Sequence, residues 1–209
     1  PEASRRAFDK RLTKQILVRE GIPTPPFELI RGGQRRTLAL PVVVKPVRQG
    51  SSIGVHRVFE EADWVSALAD ALVHDEEVLV ERFIEGRELT VGLLDQAPLP
   101  VLEIRPRKGF YNYQAKYTAG WSEYLVPAPL PEETAARCRD LARQTFLALG
   151  AEGFGRVDFR MTENGDLFVL ELNTIPGFTE TSLFPKAARS AGMTFSELCD
   201  RIMRKASVH

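Results

Sequence analysis

The stretch that indicates the fold most strongly is GFGRVDFRMTENGDLFVLELNTIPG, residues 153–177. Apolar and polar residues alternate on both sides of Asn164-Gly165, which is typical of two antiparallel strands joined by a two-residue turn. The register that this turn implies gives the hairpin one apolar face, formed by the pairs Val157–Leu172, Phe159–Leu170 and Met161–Phe168.

The opposite face of this hairpin is charged, because the same register pairs Asp158 with Glu171 and Arg156 with Asn173. Two carboxylates directly across a strand pair have Cβ atoms about 5 Å apart and repel each other. A divalent cation between them removes the repulsion, and hard oxygen ligands of this kind suit magnesium. The guanidinium adds a fixed charge for a phosphate or a developing oxyanion. A solvated face with two exposed acids is the alternative, but four such groups in one layer favour a metal-phosphate site.

The rest of the chain alternates helical and extended patterns. We predict helices over 9–20, 60–73, 131–149, 182–190 and 194–205, and strands over 41–44, 55–58, 77–83, 87–94 and 99–105. Hairpins mixed with helices indicate an α+β fold and argue against a doubly wound parallel sheet.

The composition of the 209 residues is that of an ordinary globular protein, with 44% hydrophobic and 27% charged residues. Basic and acidic residues balance at 28 each, so no global field favours a nucleic-acid or membrane partner, and an anion site must be built locally. Cys138 and Cys199 have no metal-type spacing and are expected to be small buried residues in a reducing compartment. We therefore expect a cytoplasmic protein.

A second candidate for phosphate binding follows the strand over 41–44. Lys45 and Pro46 lead into the loop Gln49–Gly54, whose small residues let backbone N–H groups approach a phosphate. A plain surface hairpin is the alternative. Neither the GxxxxGK[ST] loop nor a GxGxxG turn is present, so a nucleotide would bind by another architecture.

Three further places carry candidate polar groups. Glu81 and Glu88 lie at strand ends, where carboxylates accept hydrogen bonds from an adenine amino group or ribose hydroxyls, although ordinary surface acids occupy such places too. Ser182-Leu183 begins a helix, so its hydroxyl and backbone N–H groups could bind a carboxylate, or the serine could be a simple N-cap.

The long polar loop 106–122 is the third place. A loop of this length in a small domain usually has a function. Its Lys116-Tyr117 could reach a phosphate and another loop, or could form a solvated tip.

These segments together resemble the D-alanine–D-alanine ligases of the ATP-grasp superfamily. The matching segments are DKRLTK (9–14), PVVVKPVRQGSSIGV (41–55), HDEEVLVERFIEGRELTVG (74–92), FYNYQAKYT (110–118), GFGRVDF (153–159) and LELNTIPGFTETSL (170–183). The resemblance implies an ATP-grasp fold in which a small central subdomain, 1–84, and a larger C-terminal one, 85–209, clasp ATP between two antiparallel sheets.

The resemblance also implies a role for each matching position. The ATP-binding residues would be Lys10, Lys45 and Lys116 at the phosphates, Glu81, Phe83 and Ile84 at the adenine, and Glu88 at the ribose. The metal ligands would be Asp158, Glu171 and Asn173. The remaining roles are those of Arg156 and Gly177 in the transition state, Tyr117 with Ser51 in loop closure, and Ser182 with Leu183 at the carboxylate of the second amino acid.

The implied reaction joins two D-alanines through an acyl phosphate for peptidoglycan precursor synthesis. It uses ATP and two Mg²⁺ ions, with Mn²⁺ as an alternative, and the full-length family is usually dimeric. A ligase with D-lactate or D-serine as second substrate, or a nucleotide-binding module without catalysis, are the alternatives. Tyr117 argues against the D-lactate type, which has a histidine in this loop.

Two departures from the family pattern stand out. Gln49 occupies a position where some members have an acid. The family also has an additional N-terminal domain that helps to hold the first D-alanine, and nothing in these 209 residues corresponds to it. We therefore expect the polypeptide alone to bind ATP yet to make little or no dipeptide.

Overall fold

The computed structural model describes residues 1–106 and 122–205. Lys116 and Tyr117 lie outside these residues. The helices are α1 (Glu2–Phe8), α2 (Lys10–Arg19), α3 (Glu61–His74), α4 (Glu132–Ala148), α5 (Leu183–Ser190) and α6 (Phe195–Lys205). The strands are β1 (Phe27–Arg31), β2 (Val42–Pro46), β3 (His56–Val58), β4 (Glu77–Arg82), β5 (Arg87–Leu94), β6 (Ala97–Pro98), β7 (Leu102–Pro106), β8 (Ser122–Leu125), β9 (Phe154–Met161) and β10 (Leu167–Asn173). Within the described ranges, no helix is long and apolar enough to span a bilayer.

Two antiparallel sheets organise these elements. The first has the order β1-β4-β2-β3, and the second has the order β10-β9-β5-β7-β8 with β6 paired to β5. The predicted α+β class is confirmed, because helices and antiparallel hairpins are mixed along the chain. The helix α1 and the strands β1, β6 and β8 were not predicted, since short elements carry too little periodic signal.

The hairpin of β9 and β10 has the predicted register at its charged end only. Asp158 pairs with Glu171, and Arg156 pairs with Asn173. Towards the turn the register shifts by one residue at a bulge between Val169 and Glu171. The predicted pairs near the turn are therefore wrong, and the observed pairs are Phe159–Val169, Arg160–Phe168 and Met161–Leu167.

The turn itself explains the shift. Gly165 donates its N–H to the carbonyl of Thr162, so Glu163 and Asn164 are the central residues, and Asn164-Gly165 is not the two-residue turn predicted. Gly165 follows in the left-handed region, with φ of 84°. A longer loop moves Leu167 and Val169 into the core, and the bulge returns the strand to the register of its charged end.

Each sheet has its own apolar core. The first sheet packs against α3, while the second packs against α4 over Phe146, Phe159 and their neighbours. Helix α2 belongs to the second core, because Leu17 is fully buried there. The buried residues of α2 are Thr13, Lys14 and Leu17, and the partly buried Ile16 packs against the same core.

The proline-rich segment after α2 connects the two sheets. Pro26 accepts a hydrogen bond from the N–H of Arg82 at the end of β4, with N and O 2.9 Å apart. Pro23 accepts one from the N–H of Val169 in β10, at 2.8 Å. Prolines suit this segment because it must be extended and its own N–H groups are not needed. These two backbone hydrogen bonds therefore attach both sheets to the same short proline-rich segment.

Candidate active site

A cavity of about 1010 Å³ lies between the two sheets. One wall comes from β2 and β4, and the other comes from β9, β10 and the loop that follows β10. The predicted site residues that line it are Lys10, Lys45, Ser51, Glu81, Phe83, Ile84, Glu88, Arg156, Asp158, Glu171, Asn173, Gly177, Ser182 and Leu183. Lys10 and Leu183, which are 173 positions apart in sequence, thus share one cavity because the two sheets face each other.

The acidic pair lies on the second wall and is bridged by an amide. Asn173 Nδ2 donates to Asp158 Oδ2 at 2.9 Å and lies 3.5 Å from Glu171 Oε1. Arg156 makes a two-pronged ion pair with Asp158, at 2.8 Å from both Nε and Nη2. In this structure the repulsion between the two carboxylates is therefore relieved by Asn173 and Arg156.

The donor set of this cluster fits a hard divalent ion. It offers two carboxylates, and rotation of the Asn173 amide about its Cβ–Cγ bond presents an oxygen where the nitrogen now lies. In residues 1–106 and 122–205, no group of three or more His, Cys, Asp or Glu side chains could hold a metal ion. A metal here would need Asn173 and a phosphate oxygen or water to complete its ligands beyond Asp158 and Glu171.

Thr90 supports the same cluster and was not predicted. Its hydroxyl lies 2.6 Å from Asp158 Oδ1 and 3.1 Å from the carbonyl oxygen of Val157. Thr90 is buried on β5 directly across from Asp158 on β9. The alternation along β5 indicates on which face of the strand Thr90 lies. It does not indicate that β5 pairs with β9, because that pairing belongs to the tertiary structure.

A group of lysines lies on the first wall, around Glu81. Lys45 Nζ contacts Glu81 Oε1, and Lys14 Nζ lies 2.8 Å from Glu81 Oε2. Burial works against the charge of Glu81, but Lys14 and Lys45 outweigh it and lower the pKa of this carboxyl to about 2. Lys10 donates to the carbonyl of Gln49, and burial lowers its pKa against the opposing effect of Glu171. Lys14 was not predicted as a site residue, because a lysine on a helix is usually exposed.

The loop after β2 is strained where it lines the cavity. Ser51 and Ser52 have φ angles of 53° and 61°, and the N–H of Ile53 donates to the carbonyl of Gly50 at 3.1 Å. Left-handed conformation costs roughly 1–2 kcal/mol for a residue with a side chain. Such strain persists at ligand-binding loops held by their surroundings. Three hydrogen bonds from Arg48, one from its backbone N–H and two from its guanidinium, hold this loop to Asp75.

Aromatic and guanidinium groups surround the end of the cavity near Phe83. Arg57 and Arg160 lie 5.2 and 5.8 Å from the centroid of its ring. Arg160 donates to the carbonyls of Ile84 at 3.0 Å and Gly86 at 2.8 Å. Burial, and to a smaller extent the positive charge of Arg160, lowers the pKa of Arg57 to about 10. Neither arginine was predicted, because isolated basic residues on strands carry no motif.

The opposite end of the cavity is formed by the loop before α5. Ser182 Oγ accepts from the N–H of Thr179 at 3.1 Å and lies 2.8 Å from its hydroxyl. Ser182 occupies the N-cap position of α5 but makes no side-chain capping bond. A Cβ at Gly177 would lie 3.1 Å from Ser182 Oγ, so a side chain there would crowd this hydroxyl. The side chain of Ser182 therefore stabilises the loop before α5 and does not cap the helix.

Comparison with known proteins gives a consistent family. The family described as "D-ala D-ala ligase C-terminus" matches residues 16–204. The D-alanine–D-alanine ligase of Syntrophotalea carbinolica is 50% identical over 99% of this chain and 68% of its own length. That of Methylacidiphilum infernorum is 46% identical over 96% of this chain and 66% of its own length. The chain thus spans about two thirds of these relatives.

Solved structures agree in fold. The D-alanine–D-alanine ligase of Bacillus anthracis complexed with ATP has a TM-score of 0.84 and 31% identity, covering 97% of this chain and 67% of that one. VanG D-Ala:D-Ser ligase from Enterococcus faecalis has a TM-score of 0.87 and 32% identity, covering 97% and 62%. These matches confirm the resemblance stated from the sequence motifs, and the chain belongs to the D-alanine–D-alanine ligase family, with the ATP-grasp fold.

Proposed function

We propose that this chain is the ATP-binding and catalytic part of a ligase that joins two D-alanines for peptidoglycan precursor synthesis. ATP would be converted to ADP and phosphate as the amide bond forms. The observation that supports this most directly is the cavity with Lys10 and Lys45 on one wall and Arg156, Asp158 and Glu171 on the other. Cations and carboxylates on facing walls suit a triphosphate with its metal ions.

The base end of ATP would lie beside Phe83 and Ile84, with Glu88 at the ribose. An aromatic ring and the backbone of a strand end suit a flat, hydrogen-bonding base. Arg160 holds the carbonyls of Ile84 and Gly86, and so keeps this segment in place. The triphosphate would then extend towards Lys10 and Lys45, with Lys116 as a further phosphate ligand.

Asp158, Glu171 and Asn173 would hold the divalent ions, which we propose to be two Mg²⁺, with Mn²⁺ as an alternative. When bound, the ions neutralise charge on the phosphate oxygens. The chain's own contribution is an exchange of partners: Arg156 leaves Asp158 and turns its planar, permanently charged group to the transferring phosphoryl group. Thr90 remains on Asp158 and keeps the carboxylate oriented.

The amino-acid end would lie between Gly177 and Ser182. Ser182 and the N–H of Leu183, at the start of α5, would receive the carboxylate of the second D-alanine. The backbone at Gly177 would face the developing oxyanion, where the absence of a side chain allows close approach. Ser51 with Tyr117 would close the site.

The proposed reaction has two steps. The carboxylate of the first D-alanine attacks the γ-phosphorus of ATP, so that an acyl phosphate forms and ADP leaves. The amine of the second D-alanine then attacks the acyl carbon, loses a proton, and expels phosphate. The residues named above orient the reactants, stabilise charge and exclude water, which would hydrolyse the acyl phosphate.

We also propose the subdivision at residue 84, because all strands of the first sheet precede it and all strands of the second follow it. The location is proposed to be the cytoplasm, where ATP is available. A homodimer of the full-length protein is proposed on the resemblance alone.

The test is phosphate release with ATP, Mg²⁺ and D-alanine. It should be measured for the 209-residue polypeptide and for the same polypeptide fused behind the N-terminal third of the Syntrophotalea carbinolica relative. We expect both to bind ATP in a Mg²⁺-dependent way, and the fusion to show most of the D-alanine-dependent turnover. Absence of ATP binding in both proteins contradicts the proposal, and full turnover by the shorter one contradicts the expected need for the additional domain.

The second substrate needs its own comparison, because VanG uses D-serine and has the same fold. D-alanine, D-serine and D-lactate should be offered separately as acceptors, with the product identified by mass. We expect the D-alanyl-D-alanine product to form fastest. A preference for D-serine would instead favour a ligase that joins D-alanine to D-serine. ATP binding without any product would favour a non-catalytic nucleotide-binding module.

A further inference from the structure

Lys14 is a fully buried charge behind the cavity wall. Its side chain is 1% exposed, and it does not line the cavity. A buried ammonium is costly unless it is paired and hydrogen-bonded. Lys14 meets both conditions, because Nζ lies 2.8 Å from Glu81 Oε2 and 2.5 Å from Thr24 Oγ1. Packing alone does not explain a charged side chain at this position, because an apolar residue of similar size could be buried there at lower cost.

The contacts of Lys14 continue from one sheet to the other. Thr24 accepts from Lys14 and donates its hydroxyl proton to the carbonyl of Val169, with the oxygens 2.8 Å apart. Glu81 belongs to β4 of the first sheet, and Val169 belongs to β10 of the second. Two residues beyond Val169 on β10 is Glu171, at the acidic cluster. The chain Glu81–Lys14–Thr24–Val169 therefore joins the lysine wall to the acidic wall.

The charges around Glu81 are arranged so that Lys14 and Lys45 share it. Each of its two oxygens meets one lysine. The charged groups nearby are Lys10 and Lys14 on α2, Lys45 on β2 and Glu171 on β10. Lys45 lines the cavity and is 15% exposed, whereas Lys14 is enclosed. Only Lys45 is therefore placed to exchange Glu81 for a ligand.

We propose that Lys14 is a positioning residue of the nucleotide site, which neutralises Glu81 and ties it to β10 so that Lys45 can turn to the triphosphate. This inference rests on the proposed function, because it needs ATP in the cavity. Without Lys14, any movement of Lys45 towards a phosphate leaves Glu81 as a buried carboxylate with neither of its two contacting cations. ATP binding would then require protonation of Glu81.

The experiment compares Lys14→Met with the unaltered polypeptide by titration calorimetry with ATP and Mg²⁺ at neutral pH. Measurements in two buffers of different ionisation enthalpy give the number of protons taken up. We expect Lys14→Met to raise the Kd for ATP at least about tenfold and to take up a fraction of a proton on binding. Lys14→Arg keeps the charge and should take up fewer protons than Lys14→Met.

Leu17→Ala is the matched control for a purely structural effect. Leu17 is fully buried on the same helix face, three residues away, and carries no charge. It should lower the melting temperature but leave proton uptake unchanged. Arg19→Met, on the exposed side of α2, controls for loss of a positive charge and should change neither quantity.

A second pair of variants keeps the test decisive if Lys14→Met does not fold. Thr24→Val keeps the shape but removes the hydroxyl, and Thr24→Ser keeps the hydroxyl. We expect a Kd about twofold to fivefold higher for Thr24→Val and a near-normal Kd for Thr24→Ser. Normal ATP affinity without proton uptake in a folded Lys14→Met, or in its absence a normal Kd for Thr24→Val, overturns the inference. Failure of the unaltered polypeptide to bind ATP instead refutes the proposed function.

Discussion

The two walls of the cavity hold their charges in different ways. On the first wall, Glu81 is fully buried between Lys14 and Lys45, so its ionised state is fixed before any ligand arrives. On the second wall, Asp158 and Arg156 are 18% and 14% exposed and are paired with each other. The charges of the first wall are therefore paired in the protein interior, whereas those of the second wall are paired where solvent can reach them.

The difference indicates what each wall must do when a ligand binds. Buried ion pairs exchange partners at a high cost, because a charge left alone in the interior is strongly destabilising. Partly exposed pairs exchange more readily, since water and ions can replace a lost partner. We therefore expect the second wall to rearrange around phosphate and metal. On the first wall we expect only the partly exposed Lys45 to move, while the buried pair of Glu81 and Lys14 stays in place.

The largest effect that we expect comes from the second wall. Asp158→Asn keeps the size of the side chain but removes the charge that would attract a divalent ion. It should lower kcat of the fused ligase by about 10³-fold, while circular dichroism shows a folded protein. Glu163→Gln, at the exposed hairpin turn, is the control and should be fully active. Near-normal phosphate release by Asp158→Asn would falsify the metal assignment.

The next prediction concerns the pH dependence of stability, which follows from the burial of Glu81 on the first wall. The folded-state pKa of Glu81, about 2, lies below its ordinary value of 4.5 because of Lys14 and Lys45. The stability that ionised Glu81 contributes is therefore fully present above about pH 4.5 and is lost as the pH falls towards 2. The unfolding free energies of the unaltered protein and Glu81→Gln should converge in this window by on the order of 3 kcal/mol. A difference that is independent of pH below 4.5 would contradict this account.

Arg156→Lys tests the exchange of partners on the second wall. Lysine keeps one positive charge but cannot form the two-pronged pair with Asp158 or match a planar array of phosphate oxygens. We expect about a 10²-fold lower kcat with little change in the KM for ATP. A raised KM with normal kcat would show that Arg156 binds ATP equally well in the ground state and the transition state, and would contradict a specific role in the transition state.

The smallest effect concerns the support beneath Asp158. Thr90→Val removes the hydroxyl that contacts Asp158 Oδ1 but preserves the branched shape on β5. It should lower stability by about 1 kcal/mol and reduce kcat severalfold. Thr90→Ser restores the hydroxyl, so its activity should lie closer to normal, and equal activities for the two variants would contradict a positioning role for Thr90.

The sequence predicted much of the second wall because the relevant signal is local. A hairpin brings Asp158 and Glu171 together through alternation and one turn, and this pairing is observed. The details of the turn were wrong, because a left-handed Gly165 and a bulge at Leu170 depend on how Leu167 and Val169 fit the core. Tight local geometry near a glycine has several solutions that alternation alone does not separate.

The first wall could be predicted only in part. Lys45 and Glu81 were identified as candidates from their strand-end positions, and their individual roles from the resemblance, while their mutual contact and the role of Lys14 were not predicted. On α2, Lys14 has the sequence signature of an ordinary exposed lysine one turn after Lys10. Its burial depends on the proline-rich segment that follows α2 and on β4, both of which lie outside the helix itself.

The sequence by itself determined the α+β class, most elements and the facing pair of carboxylates, because periodicity and a hairpin register act between near neighbours. Only the tertiary structure decided that the lysine wall faces the acidic wall across one cavity, that Thr90 supports Asp158, and that a buried lysine joins the two sheets. The physical reason is that burial and pairing across sheets are properties of segments far apart in sequence, whose contact no local pattern encodes.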